Sequence, residues 1–280
     1  MRKTFPILCV ALGLAANVYA GAHEEAAIAA THADDQPVAS GAALTEPAVK
    51  VTGETVQYGE IDGAPLSGYL ARPAGVSGSL PGLIVVHEWW GLNDNIRKAT
   101  ERLAGEGFVA LAVDLYRGES ASVPKDAMKL MAALNESTDH AEENLRQAHR
   151  YLATDQAAPR IGSIGWCLGG RWSLRTALLL PEELDAAVIY YGTVTTDEAQ
   201  LATLQMPILG NFADDDPIIP VDTVNAFTAT LQSLGKDVDV KIYENTKHAF
   251  SNPSGMAYQP EAAEDAWNRT LVFLQTHLAQ

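Results

Sequence analysis

Cysteine is scarce in this chain: of 280 residues only Cys9 and Cys167 carry a thiol. Cys9 falls inside MRKTFPILCVALGLAANVYA, where Arg2 and Lys3 precede an apolar run and Val18 and Ala20 take the small-residue positions before a cut. Residues 1–20 are therefore expected to be a secretory signal cleaved after Ala20, with a periplasmic or secreted product. The run is too short for a convincing membrane span, and no lipid-attachment pattern surrounds Cys9. Without Cys9 the product keeps one thiol, which excludes an internal disulfide. A lone exported thiol needs either burial or a use. Basic residues are also few, 19 against 35 acidic ones, for a net charge of −16. Loss of Arg2 and Lys3 makes the product more negative still. This balance argues against nucleic acid and against stable association with an anionic membrane. No HExxH motif or Cys/His ligand set is present, so no metal or cofactor is expected. His23 and His32 stand near Asp34 and Asp35, but at a poor spacing for a metal site. No repeat period is visible.

Residues 21–50 are rich in Ala, Pro and acidic side chains and show no strand pattern. They read as a flexible N-terminal segment. Residues 51–280 supply enough chain for one sizeable core. Two early extended stretches, ETVQY and LSGYLARP, are followed by GLIVVHE, an apolar run suited to a buried parallel strand. GFVALAVD, RIGSIGW, DAAVIYYG, MPILGNFA and VDVKIYE continue the series. Helical stretches are expected near 95–105, 124–134, 139–154, 170–180, 222–234 and 261–278. The alternation predicts a three-layer α/β/α sandwich with a mostly parallel central sheet.

Within that frame GWCLGG, at 165–170, joins a core strand to a helix. Gly165 and Gly169 flank the shape of a nucleophile elbow, with Cys167 in the usual serine position. A helix start beside the sulfur favours thiolate, and the Leu168 N–H faces a developing oxyanion. A nucleophile of this type needs a base and a group to orient the base. The expected chain order, nucleophile then acid then histidine, is met by Cys167, the cluster Asp214, Asp215 and Asp216, and His248. Both partners follow strands, where open parallel sheets place their sites. Sequence mechanics alone leave the three aspartates hard to separate.

HEWWGLND at 87–94, DLYRG at 114–118, GWCLGG, ADDDPIIP at 213–220 and KHAFSNP at 247–253 occur in an order that resembles the dienelactone hydrolase family of α/β-hydrolases. The likeness spans roughly residues 54–278. It implies an α/β-hydrolase fold, Cys167 as nucleophile, His248 as base and Asp216 as orienting acid. It further implies that Glu88 takes part in activating the thiol, and that the backbone N–H of Trp89 joins that of Leu168 as oxyanion donor. A carboxylate beside sulfur opposes a bare thiolate, so a mostly protonated resting thiol is expected until substrate displaces Glu88. His87 is expected to hydrogen-bond beneath the site. Arg117, Tyr191 and Asn252 are candidate pocket residues. The best-known members hold a substrate carboxylate with an arginine where this chain has Asn252.

The resemblance thus implies a hydrolase of small carboxylic esters or lactones, working through a Cys-His-Asp triad and a thioester; no cofactor is expected, and a monomer is expected. A small-molecule binding protein, or a thiol redox sensor lacking a resolving cysteine, is the alternative on the same fold.

Overall fold

The computed structural model describes residues 28, 30–35, 37 and 45–279. The proposed signal, Cys9 and His23 lie outside the described residues. The order is β1 (Val51–Ile61), β2 (Ala64–Pro73), β3 (Gly82–Val86), α1 (Asp94–Gly105), β4 (Val109–Val113), α2 (Pro124–Glu136), α3 (Thr138–Thr154), β5 (Ile161–Trp166), α4 (Leu168–Leu179), β6 (Ala186–Tyr190), α5 (Glu198–Ala202), β7 (Ile208–Asp215), α6 (Val221–Ser233), β8 (Val238–Lys247) and α7 (Pro260–Leu278). The strands form one sheet in the order β1-β2-β4-β3-β5-β6-β7-β8. β1 and β2 join antiparallel through a tight hairpin in which Asp62 and Gly63 both take positive φ, as a two-residue turn of this hand requires. β2 also pairs antiparallel with β4, and from β4 to β8 all pairing is parallel.

The central strands are apolar throughout because both faces are covered. Ile84 and Val86 of β3 point into one core, while Leu83 and Val85 point into the other. Leu145 and Leu152 of α3, Trp172 of α4 and Phe227 of α6 close the first face. Leu103 of α1 and Leu274 of α7 close the second. Truncating any one of these to alanine costs about 2–5 kcal/mol.

The expected sandwich is therefore present. α5 is an addition, five residues capped by Asp197, whose side chain accepts from the N–H groups of Ala199 and Gln200. It is too short for a periodic signal. α4 begins at Leu168, immediately after Cys167, and so starts earlier than the glycine pair led us to expect.

A second difference concerns the N-terminal segment. Ile28 and His32 are buried, and Met256 donates its backbone N–H to Asp35 Oδ1 at 2.8 Å. Ile28, His32 and Asp35 are thus seated on the domain, with the His32 ring against those of Trp89 and Trp90.

Candidate active site

β5 delivers the elbow. Cys167 has φ 54 and ψ −117, in the left-handed half of the map that a non-glycine residue rarely enters. Two flanking glycines let the backbone close around it. A Cβ on Gly165 would stand 2.1 Å from Gly169 O, and one on Gly169 would stand 2.2 Å from Val86 O. The Cys167 N–H donates to Tyr190 O at 3.0 Å, tying the elbow to β6. Leu168 is the first residue of α4, so its N–H has no carbonyl one turn behind it.

The partners arrive from the ends of β7 and β8. His248 Nδ1 is 2.7 Å from Asp216 Oδ2, and both side chains are buried. Asp216 Oδ1 in turn accepts from the N–H groups of Ile218 and Ile219 at 2.8 and 3.0 Å. The neighbouring aspartates are otherwise engaged. Asp214 accepts from the N–H groups of Asn245 and Thr246, and Asp215 is exposed at the end of β7. The three-way ambiguity of the sequence is resolved by which carboxylate meets the imidazole.

The loop after β3 supplies the next group. Leu115 N–H donates to His87 Nε2 at 3.1 Å, which puts the ring proton on Nδ1, where it reaches Glu88 O at 2.6 Å. His87 thus braces the turn from beneath, as expected. Tyr116 Oη donates to Trp89 O at 3.1 Å and fixes the same turn. Glu88 Oε2 accepts from Asn252 Nδ2 at 2.8 Å, while Oε1 is buried without a partner among the described residues.

Sequence reasoning met His32 only as a poorly spaced metal candidate in the N-terminal segment and did not place it at the active site. Its ring is 5.0 Å from that of Trp89 and 5.6 Å from that of His248. Its Nδ1 lies 2.6 Å from Asp35 Oδ2. The ligand atoms of His32, Cys167 and His248 all lie within 4.8 Å of one another. The only sequence signal was a histidine three residues before an aspartate, which is common in surface segments.

The electrostatics follow from burial against opposite charge. Burial pushes the Cys167 thiol up, but His248 and His32 outweigh it and bring it down to about 6. Burial pushes His248 down, yet the thiolate and Asp216 hold it at about 10. For His32, Asp35 and Cys167 likewise overcome burial, giving about 9. Glu88 is raised to about 8, first by burial and then by Cys167. These directions favour a thiolate facing two imidazolium rings over the expected protonated thiol, with the Glu88 carboxyl pushed toward its neutral form.

The pocket candidates divide. Tyr191 is buried, with its ring 5.2 Å from that of His248. It lines both a small space at Cys167 of about 20 Å³ and an adjoining cavity of about 330 Å³. Asn252 and Trp166 line the larger cavity, and Trp166 also packs on Tyr190. Arg117 is exposed and lines neither space. The placement expected for it therefore fails: at φ 57 it sits in the turn after β4, facing outward. Arg171 borders the small space and Arg102 the larger one.

Fold and site together define an α/β-hydrolase with cysteine at the elbow. The profile of the dienelactone hydrolase family matches residues 66–278, and the chain belongs to that family. It is 34% identical over 233 residues to protein usf of Aquifex pyrophilus, covering 81% of this chain and 99% of that one. Two solved structures share the fold at lower identity. One is the dienelactone hydrolase-like promiscuous phosphotriesterase P91 from metagenomic libraries, with TM-score 0.73, 24% identity, and coverage of 81% of this chain and 98% of that one. The other is esterase 2 of Thermogutta terrifontis phosphorylated by paraoxon, with TM-score 0.60, 18% identity, and coverage of 80% and 94%. Among the described residues no helix is long and apolar enough to cross a membrane.

Proposed function

We propose that this chain hydrolyses small carboxylic esters or lactones through Cys167, His248 and Asp216. The observation that carries the reading is the His248 imidazole held by Asp216 at 2.7 Å on Nδ1, with the ring in side-chain contact with the Cys167 sulfur at the elbow. Cys167 Sγ attacks the carbonyl carbon and forms a C–S bond. The N–H groups of Leu168 and Trp89 receive the charge that moves onto oxygen. Collapse breaks the C–O bond, and His248 gives its Nε2 proton to the leaving oxygen. Water then attacks the thioester while His248 takes its proton, and the C–S bond breaks to release the acid. In a lactone the leaving oxygen stays attached as a hydroxyl.

The small space at Cys167 holds about one water, well short of an ester. Ile28 lines it. Turnover therefore includes a shift of the segment bearing Ile28 and His32. Export rests on residues 1–20; an intact mass of the protein from the periplasm or medium that begins near Gly21 supports it, and a soluble cytoplasmic product retaining Met1–Ala20 sinks it.

Rapid-quench mass spectrometry with a slow aryl ester tests the reaction. Acyl mass on Cys167 is expected in the wild type and is absent in Cys167→Ala. Cys167→Ser should be slower by roughly a hundredfold or more, given the size of ordinary acid–base contributions. Full turnover by Cys167→Ala would refute the mechanism.

A further inference from the structure

The proposed proton transfers use two of the three donor groups that meet over the elbow; His32 takes part in none of them and acts there only through its charge. His32 is only 1% exposed. Its Nε2, like that of His248, is buried and meets no partner other than the Cys167 sulfur. One ring nitrogen of each histidine and the Cys167 sulfur lie within 4.8 Å of one another. Each ring is held from behind by a carboxylate on Nδ1, at 2.6 Å from Asp35 and 2.7 Å from Asp216. This is the outer arrangement that fixes the tautomer and orientation of metal-bound histidines.

We propose that His32, Cys167 and His248 form a site for a divalent transition metal, zinc or a similar ion, that shuts the enzyme. One thiolate and two imidazoles are a donor set such ions favour. At ordinary zinc–sulfur and zinc–nitrogen bond lengths, ligand atoms in a tetrahedron stand about 3.5 Å apart. The present separations, none above 4.8 Å, require a contraction of at most about 1.3 Å. Small side-chain rotations at the three residues supply it, and water completes the four-coordinate shell. Any proton on Sγ or either Nε2 leaves to water, while the Nδ1 protons stay in their carboxylate hydrogen bonds. The ion then occupies the nucleophilic lone pair and the nitrogen that moves protons. It also bridges the N-terminal segment to the catalytic domain, fixing Ile28 over the small space. The inhibitory consequence rests on the hydrolase reading; the coordination does not.

Tag-free full-length protein, stripped with chelator and kept reduced, is titrated with Co²⁺ and followed by absorption. One ion per chain is expected, with the visible bands of a tetrahedral site and a thiolate-to-cobalt charge-transfer band. Zn²⁺ should displace it and protect Cys167 from iodoacetamide. The thiolate band should vanish in Cys167→Ala. Cobalt affinity should fall at least tenfold in His32→Ala and less in Asp35→Asn, where the ligand remains and only its brace is lost. Ester hydrolysis should fall with the same zinc dependence and return with EDTA. A spectrum without the thiolate band overturns the proposal, as does equal affinity in His32→Ala, which would mean that Cys167 and His248 bind alone. A normal cobalt spectrum in a chain without esterase activity would sink the hydrolase reading and leave the metal site standing.

Discussion

At the scale of single residues, the site is governed by where two protons rest. Cys167 is held near 6 against burial by its two histidines, and His248 near 10 by the thiolate and Asp216. The sign is clear: below about pH 6 sulfur takes a proton and the nucleophile is lost. Iodoacetamide labelling of Cys167 should rise through about pH 6 and then level off. A rise centred near 8.5, the value of a free thiol, would show that the histidines do not activate it. Glu88, raised to about 8, should be neutral at pH 7. Glu88→Gln keeps a neutral polar group and should retain kcat/KM within a factor of a few. Glu88→Ala leaves Asn252 Nδ2 without its buried acceptor, and should lower Tm as well as activity. A large loss in Glu88→Gln alone would mean that the ionised carboxylate acts in turnover.

At the scale of elements, the elbow depends on how closely β3, β5 and α4 approach. A methyl on Gly169 meets Val86 O at 2.2 Å and His87 O at 2.7 Å, and neither backbone atom can swing aside. Gly169→Ala should cost about 1–3 kcal/mol through overpacking, seen as a lower Tm. It should also lower kcat, because His87 leads into the turn that carries the Trp89 N–H. The N-terminal segment is the second element with a predicted effect. Ile28 is buried against the small space at Cys167, and Ile28→Asp should unseat it. Small-ester kcat/KM is expected to rise; a fall would show that the segment helps form the substrate site.

At the scale of the molecule, a net charge of −16 sets a field that repels anions. Arg102, over the Trp267 ring at 4.1 Å, is the cation lining the cavity that Glu88 and Asn252 share. Neutral small esters should therefore compete well with an anionic lactone in side-by-side kcat/KM measurements. Whatever preference exists for the anion should shrink in Arg102→Ala and respond to salt. A preference of many orders of magnitude that survives this substitution would place carboxylate recognition elsewhere, with Arg171 beside Cys167 the next position to change.

The sequence by itself determined the sandwich, its strand order along the chain and the elbow, because these are local. Apolar runs such as GLIVVHE need cover on both faces, and GWCLGG needs its glycines within one turn. It also presented Asp216 and His248 in order, each just after a strand. It did not separate Asp216 from Asp214 and Asp215, since all three are equally acidic and adjacent. Only the packing of β7 against β8 decided which one meets Nδ1 of His248. Tertiary structure also left Arg117 exposed outside the site, set burial and opposite charge so that the Cys167 thiol is pushed down and the Glu88 carboxyl up, and brought His32 onto Cys167 from a segment with no strand or helix period. Each of these depends on a contact between residues far apart in the chain. Burial, opposite charge and shape decide such contacts, and none leaves a mark on the spacing of nearby residues.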